Sequence, residues 1–401
     1  MIDQVAMPMT VSRVPWHLSN EAVVMVPSGL LRAGLKRKHV RDGIACGAQA
    51  IALDSGSTDG GPAYLARGIS TMHHKSVKSG LLDLMSEARR GQIPLLIGSR
   101  GTAETSDEGE WTVEIAMEVA AELQVTTKIA AHYSDQSGAL IKAKAATRVH
   151  PVPAAKPLDG EAFDQCDHIV ALMDPEPYVS ALMHGANSDL GGSTVEVAGP
   201  ASVPLVRGAG IGSVWHASKV AECGGLCTVN PQAGDVLIQV GHELFEIGRL
   251  GANYRYSTEG VSLHMLCETT DPICLIELGG VLDVMETSHD ALDTPMTRVT
   301  GPSWKTMPYT SKLDGANRGS YMRIILIGIE DPTVLVHRDS FDDNRSKKAN
   351  PFWIEIDLFA NGRENYSRYS DSLALSADKI GVLDDVPVSS VKRVAVDRLY
   401  V

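Results

Sequence analysis

The sequence predicts an α/β protein: a Rossmann-like parallel sheet in the N-terminal region, an α+β middle region, and a small α+β C-terminal domain. Three observations predict it. From Gly43 to Asp135, short apolar runs alternate with stretches of helical periodicity, as strands of a parallel sheet alternate with crossover helices. The segments Asp235–Leu250 and Ile273–Val284 are richer in β-type residues, with turns between them. After Tyr321–Ile329, enough apolar segments follow for a compact module of about 65 residues, small but able to fold if docked. The expected divisions are 1–230, 231–332 as a continuation of the same domain, and 333–401.

Taken in order, Ala48–Leu53, Ile93–Ile97 and Lys128–Ala131 read as strands. Between them, Ser79–Arg90 and Glu110–Leu123 read as helices, with Ile115, Val119 and Leu123 on one face. Arg148–Pro157 is a proline-rich connector. Asp167–Met173 reads as a strand, Tyr178–His184 as a short helix, Thr194–Ala198 as a strand and Trp215–Cys223 as a helix. The tail is expected to hold strands at Val334–His337, Phe352–Leu358 and Val391–Val396, with a helix near Glu364–Ser372. There is no internal repeat and no low-complexity tract.

Composition excludes several classes. A chain of 401 residues with 44% apolar and 21% charged residues is an ordinary globular protein rather than a disordered or collagenous one. No apolar run approaches the length of a membrane span, and the N-terminus lacks the pattern of a signal peptide. A cytoplasmic protein is expected, without a membrane partner. The net charge of −13 and the 5% aromatic content oppose binding to nucleic acid, which needs cations for phosphates and rings for bases. The six cysteines, at 46, 166, 223, 227, 267 and 274, lack paired CxxC spacing and read as reduced thiols. A homo-oligomer is the base-rate expectation.

Each of the three first strands runs into polar or glycine-rich sequence at its carboxyl end, the edge where open α/β sheets bind ligands. The first loop carries Asp54, Ser55, Gly56, Ser57, Thr58, Asp59 and Gly60. Its backbone N–H groups would form an oxyanion nest, and Asp54 or Asp59 would supply a base; an Asx-type turn capped by the aspartates is the plainer reading. The second loop carries Gly98, Ser99, Arg100, Gly101 and Thr102, and the third begins with His132. Asp54, Asp59, His132 and Asp135 leave a divalent metal open as an alternative.

Two helices add polar groups. His216, Lys219 and Cys223 share one helical face, and His264 and Glu268 are spaced i, i+4, which suits a general acid or a surface ion pair equally. Lys312 would anchor a substrate carboxylate or simply hold a solvated face. Arg345, with Lys347 and Lys348, is either an anion contact or a solubilising loop. The stretch Val203–Ser213 echoes a dinucleotide fingerprint, but its third glycine comes one residue early.

Longer motifs carry a resemblance. Leu53–Gly68 (LDSGSTDGGPAYLARG), Pro94–Glu104 (PLLIGSRGTAE), Trp215–Cys227 (WHASKVAECGGLC), Gly260–Pro272 (GVSLHMLCETTDP) and Tyr309–Ala316 (YTSKLDGA) resemble successive motifs of the acyclic terpene utilisation family, the AtuA-like proteins. Arg345–Phe359 (RSKKANPFWIEIDLF) resembles the small AtuA-like ferredoxin-fold domain, often a separate short protein and here fused. The resemblance implies a ferredoxin-like C-terminal domain and a place in the breakdown of branched carboxylic acids. Two departures stand out. Where relatives carry an Arg and an Asp (AGRxxD), this chain has Ala198-Gly199-Pro200-Ala201-Ser202-Val203, and where they read RSKNA it has Lys348.

Loops and resemblance together lead to the expectation of a lyase, specifically a hydratase. It would act on a branched carboxylic acid or its coenzyme A thioester through an enolate, with no cofactor required. Asp54 or Asp59 would be the base, His264–Glu268 the acid and Lys312 the anchor, with loop N–H groups at 55–61 and 98–102 holding the enolate. An isomerase or carbon–carbon lyase, or a non-catalytic binding subunit, are the alternatives.

Overall fold

In the computed structural model of the chain, the described residues are 21–27, 36–55, 72–100, 106–148, 160–166, 168–192, 198–222, 235–250, 257–266, 273–292, 296–307, 313–317, 322–323, 354–360 and 363–369. The chain divides into two compact units, Met1–Asn317 and Arg318–Val401.

The first unit is built on a mixed sheet of nine strands. Its parallel half begins with β1 (Ala22–Val26, AVVMV), buried along its whole length, as a strand covered on both faces must be. Helix α1 (Arg37–Ala45) leads to β2 (Ala50–Asp54), α2 (His74–Gly91) to β3 (Leu95–Gly98), and α3 (Ser106–Glu122) to β4 (Ile129–Ala131). The next segment holds α4 (Gly138–Arg148), β5 (His168–Ala171) and α5 (Glu176–Met183), and then β6 (Ser188–Leu190) enters between β3 and β4. All neighbours from β1 to β4 run parallel. After α6 (Ala198–Val206) and α7 (Ile211–Glu222), the hairpin of β7 (Val236–Val240) and β8 (Leu244–Arg249) pairs with the other edge of β1, antiparallel. Beyond the short helix α8 (Thr258–Leu263), a hairpin forms from β9 (Cys274–Glu277) and β10 (Gly280–Asp283). Strands β11 (Ser288–Ala291) and β12 (Met296–Thr300) then finish the sheet, giving the order β11-β12-β8-β7-β1-β2-β3-β6-β4.

Alternation along the strands sorts the core into two layers. Val23, Met25, Ile51, Leu53, Leu95 and Ile97 face α1, α2 and α3, where Val77, Leu81, Leu84, Ile115 and Val119 pack on them. Val24, Val26, Ala50, Ala52 and Leu96 face α5, α6 and α7, meeting Tyr178, Ala198, Ala201 and Ala217. The small alanines on this second face let α6 approach closely. A Cβ added at Gly199 would lie 3.6 Å from the Leu53 carbonyl oxygen and 3.7 Å from that of Leu96.

Strand β13 (Ser303–Thr306) pairs with β10, and β5, the strand read at Asp167–Met173, pairs with β14 (Leu313–Asn317) outside the main sheet. Two sequence readings are corrected. Ala198, read as the end of a strand, opens helix α6; residues 193–197 lie outside the described residues. A short apolar run does not distinguish strand from buried helix. In the second unit, β15 (Met322–Arg323), β16 (Ile354–Ala360) and β17 (Arg363–Tyr369) form an antiparallel sheet. The helix expected near Glu364 is therefore β17, paired with β16 along all of its residues. Val334–His337 and Val391–Val396 lie outside the described residues. Among the described residues, no helix is long and apolar enough to cross a membrane.

Candidate functional site

The carboxyl ends of β2, β3, β6 and β4 form one edge, and the chain changes sheet face there. Helix α3 leaves β3 on one face, whereas α5 precedes β6 on the other. Such a switch opens a crevice between neighbouring strand ends. The ladder continues past the strands and draws the loops together. Ser55 N–H donates to the Gly98 carbonyl (3.0 Å), Gly191 N–H to Ile97 (2.9 Å), Arg100 N–H to Gly191 (3.0 Å) and His132 N–H to Leu190 (2.9 Å). Two of the loop N–H groups expected to hold an enolate, those of Ser55 and Arg100, are thus engaged in the sheet.

The structure brings Asp54, Ser55, Gly98, Ser99, Arg100 and His132 to this edge. Asp54 lies opposite Gly98, and Ser55 Oγ donates to the Gly98 carbonyl at 3.0 Å. Ser99 is buried with φ of 42°, a left-handed conformation that non-glycine residues rarely adopt and that turns the chain sharply before Arg100.

Arg100 is the centre of the arrangement. Its side chain is 0% exposed. Nη1 donates to the Leu190 carbonyl, and the guanidinium lies over the Tyr133 ring, 4.9 Å from its centroid. Nε and Nη2 are buried and have no hydrogen-bond partner. Burial pulls the Arg100 pKa down, opposed by Tyr178, Tyr133, Glu110 and Asp189. Tyr133 in turn donates its hydroxyl to Glu110, which raises the phenol's pKa.

Beside it stands Asp189, also 0% exposed, level with Leu96 and Ala130 across the neighbouring strands. His132 Nε2 lies 2.7 Å from Asp189 Oδ1. The imidazole is tilted against Tyr178, with centroids 5.3 Å apart, and the Tyr178 hydroxyl donates to the Ile97 carbonyl at 3.1 Å. Burial raises the Asp189 pKa, against the opposing pull of His132 and Arg100. A carboxylate held against an imidazole fixes its orientation and tautomer, as acid–base work requires.

The other predicted residues fall elsewhere. His216 and His264 form a second buried cluster over the antiparallel half of the sheet. His216 packs against Phe245 (5.2 Å between centroids) and His289 (6.1 Å), and its ring nitrogens have no hydrogen-bond partner. Burial, then His289 and His264, push its pKa down to about 3. His264 Nε2 donates to the Lys219 backbone carbonyl at 3.0 Å. Lys219 therefore contributes its backbone to this cluster. Gly56, Ser57, Thr58, Asp59, Gly60, Gly101, Thr102, Glu268, Lys312 and Arg345 lie outside the described residues.

Asp135 accepts from Ser106 Oγ at 2.6 Å and lies 3.6 Å from His168 Nδ1. Among the described residues, no three His, Cys, Asp or Glu are arranged to hold a metal ion. The glycines that echo a dinucleotide fingerprint have a packing reason. The run before them is helix α6 rather than a strand. A Cβ at Gly210 would meet the His242 carbonyl oxygen, and one at Gly212 would lie 2.7 Å from that of Pro302.

Sequence reading missed Asp189, Tyr133 and Tyr178. A signal for Asp189 existed: Ser188-Asp189-Leu190 is followed by Gly191-Gly192, the same change to glycine that ends the other strands. A polar residue in so short a strand hides the pattern. The chain matches no family model, no curated protein and no solved structure.

Proposed function

We propose that this edge is the active site of a cytoplasmic lyase of the hydratase type, acting next to the carbonyl of a branched carboxylic acid. The observation that carries the reading is the buried Arg100, with Nε and Nη2 unpartnered, beside the buried Asp189 and its half-buried partner His132. A buried cation suits the stabilisation of negative charge that develops beside it, and a paired imidazole suits proton transfer at the adjacent carbon. The motif resemblance to the AtuA-like family supports the choice of a carboxylic acid, and with it a Rossmann-like N-terminal domain and a ferredoxin-like C-terminal one.

In dehydration of a 3-hydroxy acid, a base takes the α-proton and an acid delivers a proton to the departing hydroxyl, so that water leaves and a double bond forms. Asp54 and the His132–Asp189 pair are the groups at this edge that would share the two roles. Asp59 and Lys312 keep their proposed roles as base and anchor, while Glu268, expected to act through His264, loses the acid-partner role to Asp189. His264, bonded to a backbone carbonyl in the other cluster, gives up the acid role to His132.

Proton NMR in deuterated water tests this with branched unsaturated and 3-hydroxy acids, free and as coenzyme A thioesters. Deuterium is expected to enter α to the carbonyl, and His132→Gln to slow its entry by about 10²–10⁴-fold. Silence across the panel from folded protein would overturn the reading in favour of a non-catalytic subunit.

A further inference from the structure

The helical layer of α1, α2 and α3 on one face of the sheet carries its charge unevenly. Lys36, Arg37, Lys38 and Arg41 lie at and after the start of α1, and Arg89 and Arg90 in the last turn of α2; all six are exposed. The acids among them lie underneath. Glu87 is 1% exposed and accepts from Arg41 Nε at 2.9 Å and from Arg37 Nε and Nη2 at 3.2 and 3.1 Å, while Arg90 Nε lies 2.9 Å from its other oxygen. Asp83 and Asp42 are partly buried beside Arg37 (3.4 Å) and Lys38 (2.6 Å). Six cations against three acids leave this patch at +3 in a chain of −13, with the positive groups outermost.

The stability of α1 does not call for this pattern. Cations at the positive end of a helix dipole are unfavourable, and α1 has no acid in its first turn and no side-chain cap. Nor does Glu87 call for three guanidiniums, since one balances its charge. The network instead holds Arg37, Arg41 and Arg90 in place while their side chains stay 44%, 48% and 55% exposed. Guanidiniums already ordered lose little freedom when a carboxylate docks on them.

The complementary surface lies across α2, which touches both α1 and α3. Along α3, Glu110, Glu114, Glu118 and Glu122 recur every fourth residue and are all exposed. Lys78 reaches Glu118 and Glu122, His74 reaches Glu118, and Glu110 is engaged by Tyr133. Among the described residues, no cation is paired with Glu114. Met117, between Glu114 and Glu118 in sequence, is 60% exposed. Residues four apart on a helix are separated by about 6 Å, a spacing that Arg37 and Arg41 share with each step of the glutamate stripe.

We propose that the α1–α2 patch docks the α3 stripe of a second copy of this chain, with Arg37 and Arg41 facing Glu114 and Glu118 of the partner subunit. A copy of the chain supplies both the opposite charge and the matching spacing. The two surfaces differ, so the contact is head-to-tail and passes from copy to copy until a ring closes or the row of copies ends. Complementary charge of this kind sets the register in which two copies meet.

Light scattering after size exclusion of the full chain tests this. In about 0.1 M salt, where charges act over about 10 Å, the mass is expected to rise above the 42.9 kDa of one chain as concentration increases. In about 1 M salt, where they act over about 3 Å, it should fall back to that value. Lys38→Glu with Arg89→Glu reverses the patch and leaves the partners of Glu87 in place; Glu114→Lys with Met117→Lys reverses the stripe. Each double variant is expected to need about tenfold more protein to assemble, or more. Mixed, the first still offers its stripe and the second its patch, so the two should pair at twice the chain mass and grow no further.

A wild type that keeps the mass of one chain in low salt would overturn the proposal, even where a variant fails to fold. So would assembly that survives high salt or either double variant, or a mixture of folded variants that stays at the mass of one chain. Capture of inorganic polyphosphate by a monomeric wild type would also overturn it, giving the patch to a different anion.

Discussion

A half-buried and a fully buried imidazole in this chain are held in opposite ways, and their environments predict opposite uses. His132 is paired with Asp189 at the strand ends, its Nε2 2.7 Å from the carboxylate. His216 is surrounded by Phe245, His289 and His264, and its nitrogens have no hydrogen-bond partner. Its pKa of about 3 means that the folded protein holds it neutral. An unfolded chain would protonate it near its ordinary value of about 6.5. The sign follows from proton counting. Above that value neither state binds the proton and stability is unaffected. Below it the unfolded state binds a proton that the folded state refuses, so stability is lost progressively until the folded pKa is reached. The expected slope from this residue is on the order of 1 kcal/mol per pH unit between about pH 6 and pH 4. Urea unfolding of wild type and His216→Phe across that range measures it. The variant, whose ring still packs against Phe245, should lose this part of the acid sensitivity, and parallel curves would show that His216 is not held neutral by burial.

Among the elements, the junction of α6 and α7 shows why some signals in the sequence were legible and others misleading. Strands β2 and β3 were readable because short β-branched and leucine-rich runs end in glycine or polar residues. Helices α2 and α3 were readable because their apolar residues recur at helical spacing, and those residues are the ones buried. The run Val203–Val206 followed by Gly208, Gly210 and Gly212 has the look of a strand entering a phosphate-binding turn, yet it is the end of a helix containing Pro204. Its glycines are set by how closely the loop passes two turns, a long-range contact that no local pattern encodes. Likewise β17 carries polar residues throughout, and only its pairing with β16 makes it a strand. The intervening Asn361-Gly362 is the pair most typical of a hairpin and was the cue available. The packing at Gly210 is testable. An alanine there would drive its Cβ into the His242 carbonyl oxygen, and overpacking of this kind costs about 1–3 kcal/mol or more. Gly210→Ala is expected to lower the melting temperature markedly. Gly208→Ala, whose Cβ meets nothing within 4 Å but whose φ is +80°, should cost only the backbone strain, roughly 1 kcal/mol. Equal losses in the two variants would show that the approach to His242 is not what fixes the first glycine.

For the whole first unit, the decisive feature is that the middle of the chain completes the sheet begun by its start. The candidate site was half legible for the same reason. Asp54, Arg100 and His132 follow strands that read clearly, while Asp189 arrives on β6, a strand inserted between β3 and β4 after a long excursion through α4, β5 and α5. Order along the chain does not reveal that insertion. The same topology makes residues 1–230 an incomplete fold. β1 pairs with β7 over all five of its residues, from Ala22↔Val240 to Val26↔Val236, and its side chains are buried on both faces. Ending the chain at 230 would leave β1 as an apolar edge strand with unpaired backbone groups, the feature that promotes edge-to-edge aggregation. Ending it at 317 keeps every strand of the nine-stranded sheet and falls between the two compact units. The 1–317 chain is therefore expected to unfold cooperatively on heating, and the 1–230 chain to be insoluble or to show no cooperative transition. Size-exclusion chromatography and calorimetry of the two truncations decide the point. A monodisperse, cooperatively melting 1–230 chain would mean that β1 is stable without β7, and that the antiparallel half is an addition to the parallel sheet rather than a part of its fold.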